Sequence, residues 1–307
     1  MVSVKQSQIL IRYGEIGLKA EHTRRQFTQQ LKKNIIYACS KENIPIKIEI
    51  KRGRFFLHTA EIVKSLRVLQ RIFGIVSFSP VWDSSSDLKI LTTDVLELMS
   101  SRLSQESSFA LRVRRSGDHD YTSQDAAIMI GKALCDHYKS PVDLNDPDVE
   151  FFIEIRGDKA YLFFEKINGV GGLPYATQGK ICCFVEKPED ILASWYLMKR
   201  GCRIQFFPVN SCLLEQIQNF LDRWYIQHPP IMTKKNEKQK MGHLKQESQK
   251  HDCQAICSGV NFLDKKKEIL QEIKHYQTQF SLPILTPLIS MNEQQIRNNA
   301  KKVGILL

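Results

Sequence analysis

The chain lacks the long apolar stretches of membrane and secreted proteins. No apolar run in its 307 residues approaches the roughly 18 that suggest a membrane span. The N-terminal segment has neither an extended apolar core nor a cleavage-site pattern. The eight cysteines lie mostly inside apolar strand or helix patterns, which is typical of reduced, buried thiols. We therefore expect a cytoplasmic protein without a membrane partner and without a disulfide framework.

The sequence also lacks a cysteine pair with metal-binding spacing. Cys253 and Cys257 are too far apart for a CxxC knuckle, and no second pair lies nearby. If residues 253–257 form a central strand, both side chains point to one face and belong to the core. Cys212 follows a predicted strand end and is expected to be the most exposed thiol. We predict no metal site and keep Cys212 and Cys253 as weak catalytic candidates.

A third absence is glycine in the turn at residues 185–191, which read VEKPEDI. An apolar run precedes this turn and a helical pattern follows it. Strand–turn–helix units of this kind hold nucleotide phosphates in α/β proteins, and glycine lets the phosphate approach the backbone N–H groups. Here Glu186, Glu189 and Asp190 offer carboxylates that satisfy those N–H groups and repel a phosphate. The pattern predicts a nucleotide-site scaffold whose site is filled by its own side chains.

Positive charge, by contrast, is abundant and unevenly spread over the net +11. Residues 1–60 carry 12 lysines and arginines against 4 acidic residues, a balance of +8. Residues 61–180 have a balance of −3 and residues 181–307 one of +6. A small domain at +8 indicates a polyanion partner such as nucleic acid. A soluble surface that happens to be basic is an equally compatible interpretation.

Hydrophobic periodicity predicts an α/β and α+β protein with several domains. Residues 1–60 predict one helix on a small antiparallel sheet, and residues 61–168 a second α/β unit. The glycine-rich residues 169–179 predict a linker or functional loop. Alternating strands and helices in residues 180–307 predict a parallel, doubly wound sheet. Within it, the lysine- and glutamine-rich residues 229–251 are expected to form a mobile loop or weak helix, either as a solvated spacer or touching RNA.

Two groups of cations have spacings that suit a phosphate backbone. In the first unit, Gly14 and Gly17 permit a tight turn between a strand and a cationic helix. In the second unit, alternate arginines share one face of a strand, with Tyr121 in the next loop able to stack on a base. An alternative pairs these arginines with Asp118, Asp120 and Asp125. The predicted RNA-binding residues are Arg12, Lys19, Arg24, Arg25, Lys32, Lys33, Arg112, Arg114, Arg115 and Tyr121.

Several segments together resemble tRNA 4-thiouridine synthetases. They are RYGEIGLK, RRSGDHDYTSQDA, VDLNDPD, EIRGDKAYLFFEKINGVGGLPYATQGK and SLPILTPLISM. The resemblance implies a ferredoxin-like domain (1–60), a THUMP domain (61–168), a linker (169–179) and a PP-loop pyrophosphatase domain of the adenine nucleotide hydrolase type (180–307). It also implies that the first two domains bind tRNA, with the THUMP domain gripping the acceptor end.

The third domain departs from the family pattern. Family members carry an SGGxDSP-type loop that binds ATP, with Mg²⁺, to adenylate a uridine. Aligned on the shared LMKRG segment, this chain has Glu186 and Lys187 for the two glycines, and Val185 and Asp190 for the serines. A TGE-type segment appears as residues 257–260 without its acid, and the insert before Cys253 has no cysteine for sulfur relay.

The sequence is compatible with three functions. The first is a tRNA-binding protein linked to tRNA thiolation but without autonomous ATP-dependent adenylation, and therefore without an assigned cofactor. The second is an active tRNA sulfurtransferase whose partner supplies activation or sulfur, with a persulfide on Cys212 or Cys253. The third is a regulator of thiamine or sulfur metabolism acting through protein contacts. The family also implies a homodimer and a sulfur-carrier or tRNA-modifying protein as partner.

Overall fold

The computed structural model describes residues 8–51, 53–227, 230–231, 245–261, 269–279 and 281–307. Within these residues, close contacts group the chain into two compact units. Unit 1 comprises Met1–Arg12, Ile44–Arg67 and Ser77–Asn168, and unit 2 comprises Tyr13–Asn43, Val68–Val76 and Gly169–Leu307. The domain limits inferred from the sequence stay a prediction.

Up to Asn168, strands and helices alternate along the chain. In order they are β1 (Gln8–Tyr13), a 3-10 helix (Glu15–Leu18), α1 (Glu21–Lys41), β2 (Lys47–Lys51), β3 (Arg54–His58), α2 (Ile62–Leu69), β4 (Ile75–Ser85), α3 (Leu88–Met99), β5 (Phe109–Ser116), α4 (Ser123–Tyr138), β6 (Val149–Arg156), β7 (Lys159–Phe163) and β8 (Ile167–Asn168). The strands form one sheet in the order β2-β3-β1-β4-β7-β6-β5, with β8 beside β4.

The two faces of this sheet are packed differently in unit 1. Alternate residues of β6 and β7 point to opposite faces because the side-chain period of a strand is two. Phe151 and Leu162 pack with Leu91 of α3 and Ile130 of α4 in a large apolar cluster. On the other face the rings of Phe56, Tyr161 and Phe163 form a smaller cluster with Leu10, Val81 and the partly buried Phe152. The residues between these rings supply the polar groups of the candidate site.

Beyond Gly169 the chain forms a parallel sheet. Its elements are β9 (Lys180–Val185), α5 (Pro188–Lys199), β10 (Arg203–Pro208), α6 (Ser211–Arg223), β11 (Ala255–Cys257), α7 (Ile269–Gln279), β12 (Ile284–Leu285) and α8 (Glu293–Val303). The strand order is β10-β9-β11-β12, and all three neighbouring pairs are parallel. The predicted doubly wound sheet is confirmed. The order reverses between β9 and β11, which is where such sheets bind ligands.

The cysteines of unit 2 correct one sequence-based expectation. Because β11 begins only at Ala255, Cys253 precedes the strand instead of sharing a face with Cys257. Cys253 packs with Cys182 on one side of the sheet, whereas Cys257 packs with Cys183 on the other. All four thiols are buried, and Cys212 is exposed as expected. Of the lysine-rich insert, residues 229 and 232–244 lie outside the described part of the chain.

No helix in the described ranges is both long enough and apolar enough to cross a membrane.

Candidate functional site

Unit 1 has a cavity of about 520 Å³ on the face of the sheet near β5, β6 and β7. This volume falls within the range of small-molecule sites, which is roughly 300–1,000 Å³. The first turns of α4 form one wall through Ser123, Gln124 and Ala127. The charged residues of the lining are Arg12, Arg112, Arg114, Lys166, Glu150 and Glu154. With four cations against two acids, the cavity suits an anionic ligand.

Arg12 is the deepest of these cations. It is only 9% exposed, and its Nη1 donates to Ser79 Oγ at 3.0 Å. Its guanidinium carbon lies 4.7 Å from the ring centre of Phe163, a cation–π arrangement. Its Nη2 is buried and has no hydrogen-bond partner among the described residues. Arg12, predicted from the sequence as an RNA-binding cation, is therefore buried near the end of β1, and its role in RNA binding stays a prediction.

Glu154 provides the countercharge for Arg12. Its carboxylate accepts from Arg12 Nε at 3.0 Å, from Arg54 Nε at 3.1 Å and from Arg156 Nε at 2.7 Å. Burial raises the pKa of Glu154, but the three guanidiniums outweigh this effect and hold the pKa below its usual range. Burial in turn lowers the pKa of Arg12, against the opposing effect of Glu154. The cluster carries three cations and one acid, and Arg54 is its most exposed member at 24%.

The arginines of β5 differ from one another in their surroundings. Arg112 donates to Glu150 Oε1 at 2.6 Å and to the Leu144 carbonyl at 2.9 Å. Arg114 is exposed at the cavity wall. Arg115 donates to the Gly117 carbonyl at 3.0 Å and contacts His119 Nδ1 at 3.1 Å. The pairing with Asp118, Asp120 and Asp125 is thus wrong for Arg112 and Arg115, because nearer acceptors exist and Asp125 caps α4 through Thr122.

Tyr121 is half-buried, so its ring is less accessible for stacking on a base than the ring of an exposed tyrosine. Its hydroxyl donates to the Ser86 carbonyl, and its ring centre lies 5.3 Å from that of His119. Burial raises the pKa of Tyr121. The ring packs against the larger apolar cluster of unit 1. Tyr121 therefore organises the loop before α4, while its stacking on a base stays a prediction.

The remaining predicted cations belong to unit 2. Lys19, Arg24, Arg25 and Lys33 are exposed, and Lys32 is half-buried on α1. Arg25 pairs with Glu21 one turn earlier on the same helix. The structure thus distributes the predicted RNA-binding residues over both units. Their role in binding stays a prediction.

The glycine-free turn of unit 2 is organised by Asp190. This residue lies in the first turn of α5 and is 4% exposed. Its Oδ2 accepts from the backbone N–H of Glu186 at 3.0 Å and of Lys187 at 3.1 Å, and its Oδ1 accepts from the Gly259 N–H at 2.7 Å. One carboxylate therefore joins the loops that follow β9 and β11. The predicted internal satisfaction of these N–H groups is what the geometry shows.

The space beside this turn is small. A cavity of about 160 Å³ is lined by Phe184, Glu186, Lys187, Asp190, Ile256, Cys257, Ser258 and Val260. Gly259 is packed so closely that an added Cβ would lie 2.5 Å from the carbonyl carbon of Glu189. Val185 is fully buried at the end of β9, whereas Glu186 is exposed at the turn. Burial raises the pKa of Asp190 to about 6, although the three N–H donors act in the opposite direction.

The weak catalytic candidates have contrasting environments. Cys212 is exposed in the first turn of α6. The neighbouring Cys182 thiol, with Lys180, lowers the pKa of Cys253, whereas Cys253 and burial raise the pKa of Cys182. The structure does not bring Cys212 and Cys253 into one cluster of the core. Among the described residues, no group of three or more His, Cys, Asp or Glu side chains is arranged to hold a metal ion.

Sequence reasoning missed Glu154, Arg54, Arg156, Glu150 and Lys166. One signal was present for Glu154, because an acid within the largely apolar strand VEFFIEIR needs a buried partner. Which partner it finds depends on strands β1 and β3, more than 90 residues away in sequence. The remaining residues carry no local signal that separates them from ordinary surface charges.

Comparison with known proteins gives three matching family models. The "ThiI ferredoxin-like domain" matches residues 8–79, the "THUMP domain" residues 85–165, and "Thiamine biosynthesis protein (ThiI)" residues 227–306. A probable tRNA sulfurtransferase from Methanothermobacter thermautotrophicus is 32% identical over 96% of this chain and 84% of its own length. Another from Methanocaldococcus jannaschii is 28% identical over 99% of this chain and 89% of its own.

Solved structures agree with this assignment. PH1313 from Pyrococcus horikoshii matches with a TM-score of 0.83 and 26% identity, over 97% of this chain and 99% of that one. A 4-thiouridine synthetase–RNA complex with bound ATP matches in fold, with a TM-score of 0.75 and 21% identity over 98% and 85%. Ferredoxin-like, THUMP and parallel-sheet domains in this order define a class of multidomain RNA-modification proteins. Within it, the chain belongs to the tRNA sulfurtransferase (ThiI) family, which confirms the resemblance inferred from the sequence.

Proposed function

We propose that the protein binds tRNA and takes part in tRNA thiolation without adenylating the tRNA on its own. The observation that carries this proposal is the Asp190 carboxylate, which uses three backbone N–H groups at the switch point of the parallel sheet. These are the donors that a nucleotide phosphate needs in such a fold. The VEKPEDI turn thus replaces the ATP-binding loop of the family. We place this activity in the cytoplasm.

The tRNA-binding half of the proposal rests on the cavity of unit 1. Its four lining cations suit the phosphates of a single-stranded RNA end, and the apolar Ala127 and Phe152 beside them suit a base or sugar. We assign this cavity to the acceptor end of tRNA. The exposed cations of α1 supply further phosphate contacts.

A titration with fluorescent tRNA at several salt concentrations tests tRNA binding. We expect binding that weakens with salt, and weaker binding to a tRNA shortened by its single-stranded 3′ nucleotides. Absence of binding at moderate ionic strength would falsify the proposal. Equal affinity for full-length and shortened tRNA would remove the assignment of the cavity to the acceptor end.

Calorimetric titration with ATP and magnesium tests the nucleotide half. The unmodified chain should give no signal in the micromolar range. A triple variant frees the backbone N–H groups of the turn and removes two acids, so its affinity for ATP should increase. It carries the substitutions Glu186→Gly, Lys187→Gly and Asp190→Ser. A clear micromolar signal from the unmodified chain contradicts the proposal.

A second function is an active sulfurtransferase that receives activation or sulfur from a partner. The exposed thiol of Cys212 and the lowered pKa of Cys253 favour it. Replacing each cysteine by serine and measuring thiouridine formation with a sulfur donor decides the matter. Unchanged activity in both variants removes the cysteine chemistry. A homodimer, or a sulfur-carrier or tRNA-modifying partner, is compatible with either function and is tested by light scattering and co-purification.

A further inference from the structure

Glu154 is the more buried of the two acids that line the cavity of unit 1. Its side chain is 7% exposed, and three guanidinium groups surround it. An acid on a surface that binds RNA lowers the positive potential and should weaken binding. We therefore expect Glu154 to make a contribution to RNA binding that exceeds the unfavourable effect of its negative charge.

The contacts of Arg12 indicate that role. Its Nε is bound to Glu154, its Nη1 to Ser79, and the flat side of its guanidinium rests on Phe163. The remaining nitrogen, Nη2, has no partner in the described part of the chain, and Arg12 lines the 520 Å³ cavity. An arginine whose orientation is already fixed loses little entropy when it binds a ligand.

We propose that Glu154 is a positioning residue for RNA binding, which holds Arg12 so that its buried Nη2, left without a protein partner in the described chain, binds an RNA phosphate that enters the cavity. The inference rests on the proposed tRNA binding. Without the carboxylate, the guanidiniums of Arg12, Arg54 and Arg156 repel one another, and the three Nε donors no longer share two charged acceptor oxygens. Its orientation relative to the cavity is then no longer defined.

The replacement Glu154→Gln distinguishes positioning from simple electrostatics by the sign of its effect. It keeps the size of the side chain and raises the net charge of the protein by one. Simple electrostatics predicts tighter RNA binding, because an acid is removed near the phosphates. Positioning predicts weaker binding, by about tenfold if one charge-assisted hydrogen bond is lost.

Glu97→Gln is a matched control, since it makes the same chemical change on the exposed face of α3 and does not line the cavity. The affinity of the full chain for tRNA is measured by fluorescence anisotropy at three salt concentrations. We expect the control to change affinity by less than about twofold. Glu154→Gln with equal or tighter binding overturns the inference. Failure of the unmodified chain to bind tRNA instead overturns the proposed function.

A double-mutant cycle shows whether Glu154 acts through Arg12. Arg12→Lys keeps the charge but has no second nitrogen to present, so it should also weaken binding by about tenfold. If the two residues act as a unit, adding Glu154→Gln to Arg12→Lys causes little further loss. If the double variant instead loses affinity by the product of the two single losses, the two residues act independently and the inference is overturned.

Circular dichroism establishes that each variant is folded. If Glu154→Gln does not fold, the comparison of Arg12→Lys with Arg67→Lys, an exposed control on α2, decides. Equal affinities of these two variants overturn the inference.

Discussion

The cavity of unit 1 and the 185–191 turn of unit 2 both gather hydrogen-bond donors that suit an anion. In unit 1, Glu154 binds three arginines and still leaves Arg12 Nη2 without a partner in the described chain. In unit 2, Asp190 takes up the N–H groups of Glu186, Lys187 and Gly259. A buried acid thus leaves one donor without a partner in unit 1 and takes up the backbone donors of the turn in unit 2. The difference lies in the number of donors relative to acceptors, which charge alone does not reveal.

The two sites also differ in size. The cavity of unit 1 measures about 520 Å³ and that beside Asp190 about 160 Å³. Typical ligand sites begin near 300 Å³. The cavity of unit 1 has room for the end of a polar macromolecule. The cavity beside Asp190 is smaller than a typical nucleotide site.

The largest expected effect is that of salt on tRNA binding. If the four cations of the cavity each neutralise one phosphate, raising the salt from about 50 to 200 mM lowers the affinity roughly 50- to 150-fold. Binding of ATP to the glycine-containing triple variant should depend less on salt, because backbone N–H groups supply its contacts. The measurement is anisotropy at a series of salt concentrations. A slope near zero contradicts the role of the cavity.

The next effect is the pH dependence that Asp190 imposes on stability. Its pKa rises from 3.8 in the unfolded chain to about 6 in the fold, so the native state binds the proton more tightly. Stability due to this group is complete below pH 4 and is lost as the pH rises through 6, by about 3 kcal/mol. Relative to Asp190→Asn, the unfolding free energy should fall over this window. If chemical denaturation gives the same pH dependence of the unfolding free energy for both proteins, Asp190 does not titrate as a buried group.

Gly259 tests how tightly the occupied site is packed. In Gly259→Ala the new Cβ meets the backbone of Glu189 at 2.5 Å and of Asp190 at 2.6 Å, so the loop must move. We expect a loss of about 1–3 kcal/mol in unfolding free energy. Gly17→Ala is the control, because nothing lies within 4 Å of its Cβ. Equal denaturation midpoints for the two variants would show that the loop yields easily.

The smallest effect concerns single cations outside the cavity. Lys33→Gln on α1 should weaken tRNA binding by a few-fold and reduce the salt slope by about one, uniformly across tRNA sequences. Lys301→Gln on α8 makes the same change at another exposed position of unit 2. If both variants bind tRNA equally, α1 is not part of the interface.

Local patterns were sufficient for most elements of the fold. The alternation of Ile48 and Ile50 and the buried run Ile181–Val185 correspond to strands β2 and β9. Of the three acids predicted to satisfy N–H groups of the turn, Asp190 does so in the structure, as is common for a carboxylate in the first turn of a helix. The spacing of charged residues was a less reliable guide to the environment of each side chain. The sequence grouped Arg12 with the other predicted RNA-binding cations, but burial and a carboxylate distant in sequence decided its environment.

The sequence by itself therefore determined the family, the elements and the absence of glycine from the turn, since these depend on neighbouring residues. Tertiary structure alone decided which donors remain available. Glu154 meets Arg12 across 142 positions, and Asp190 meets Gly259 across 69. Hydrogen bonds act over about 3 Å, so their partners are selected by the pairing of distant strands and loops. For this reason two buried acids of similar chemistry have opposite effects on their sites.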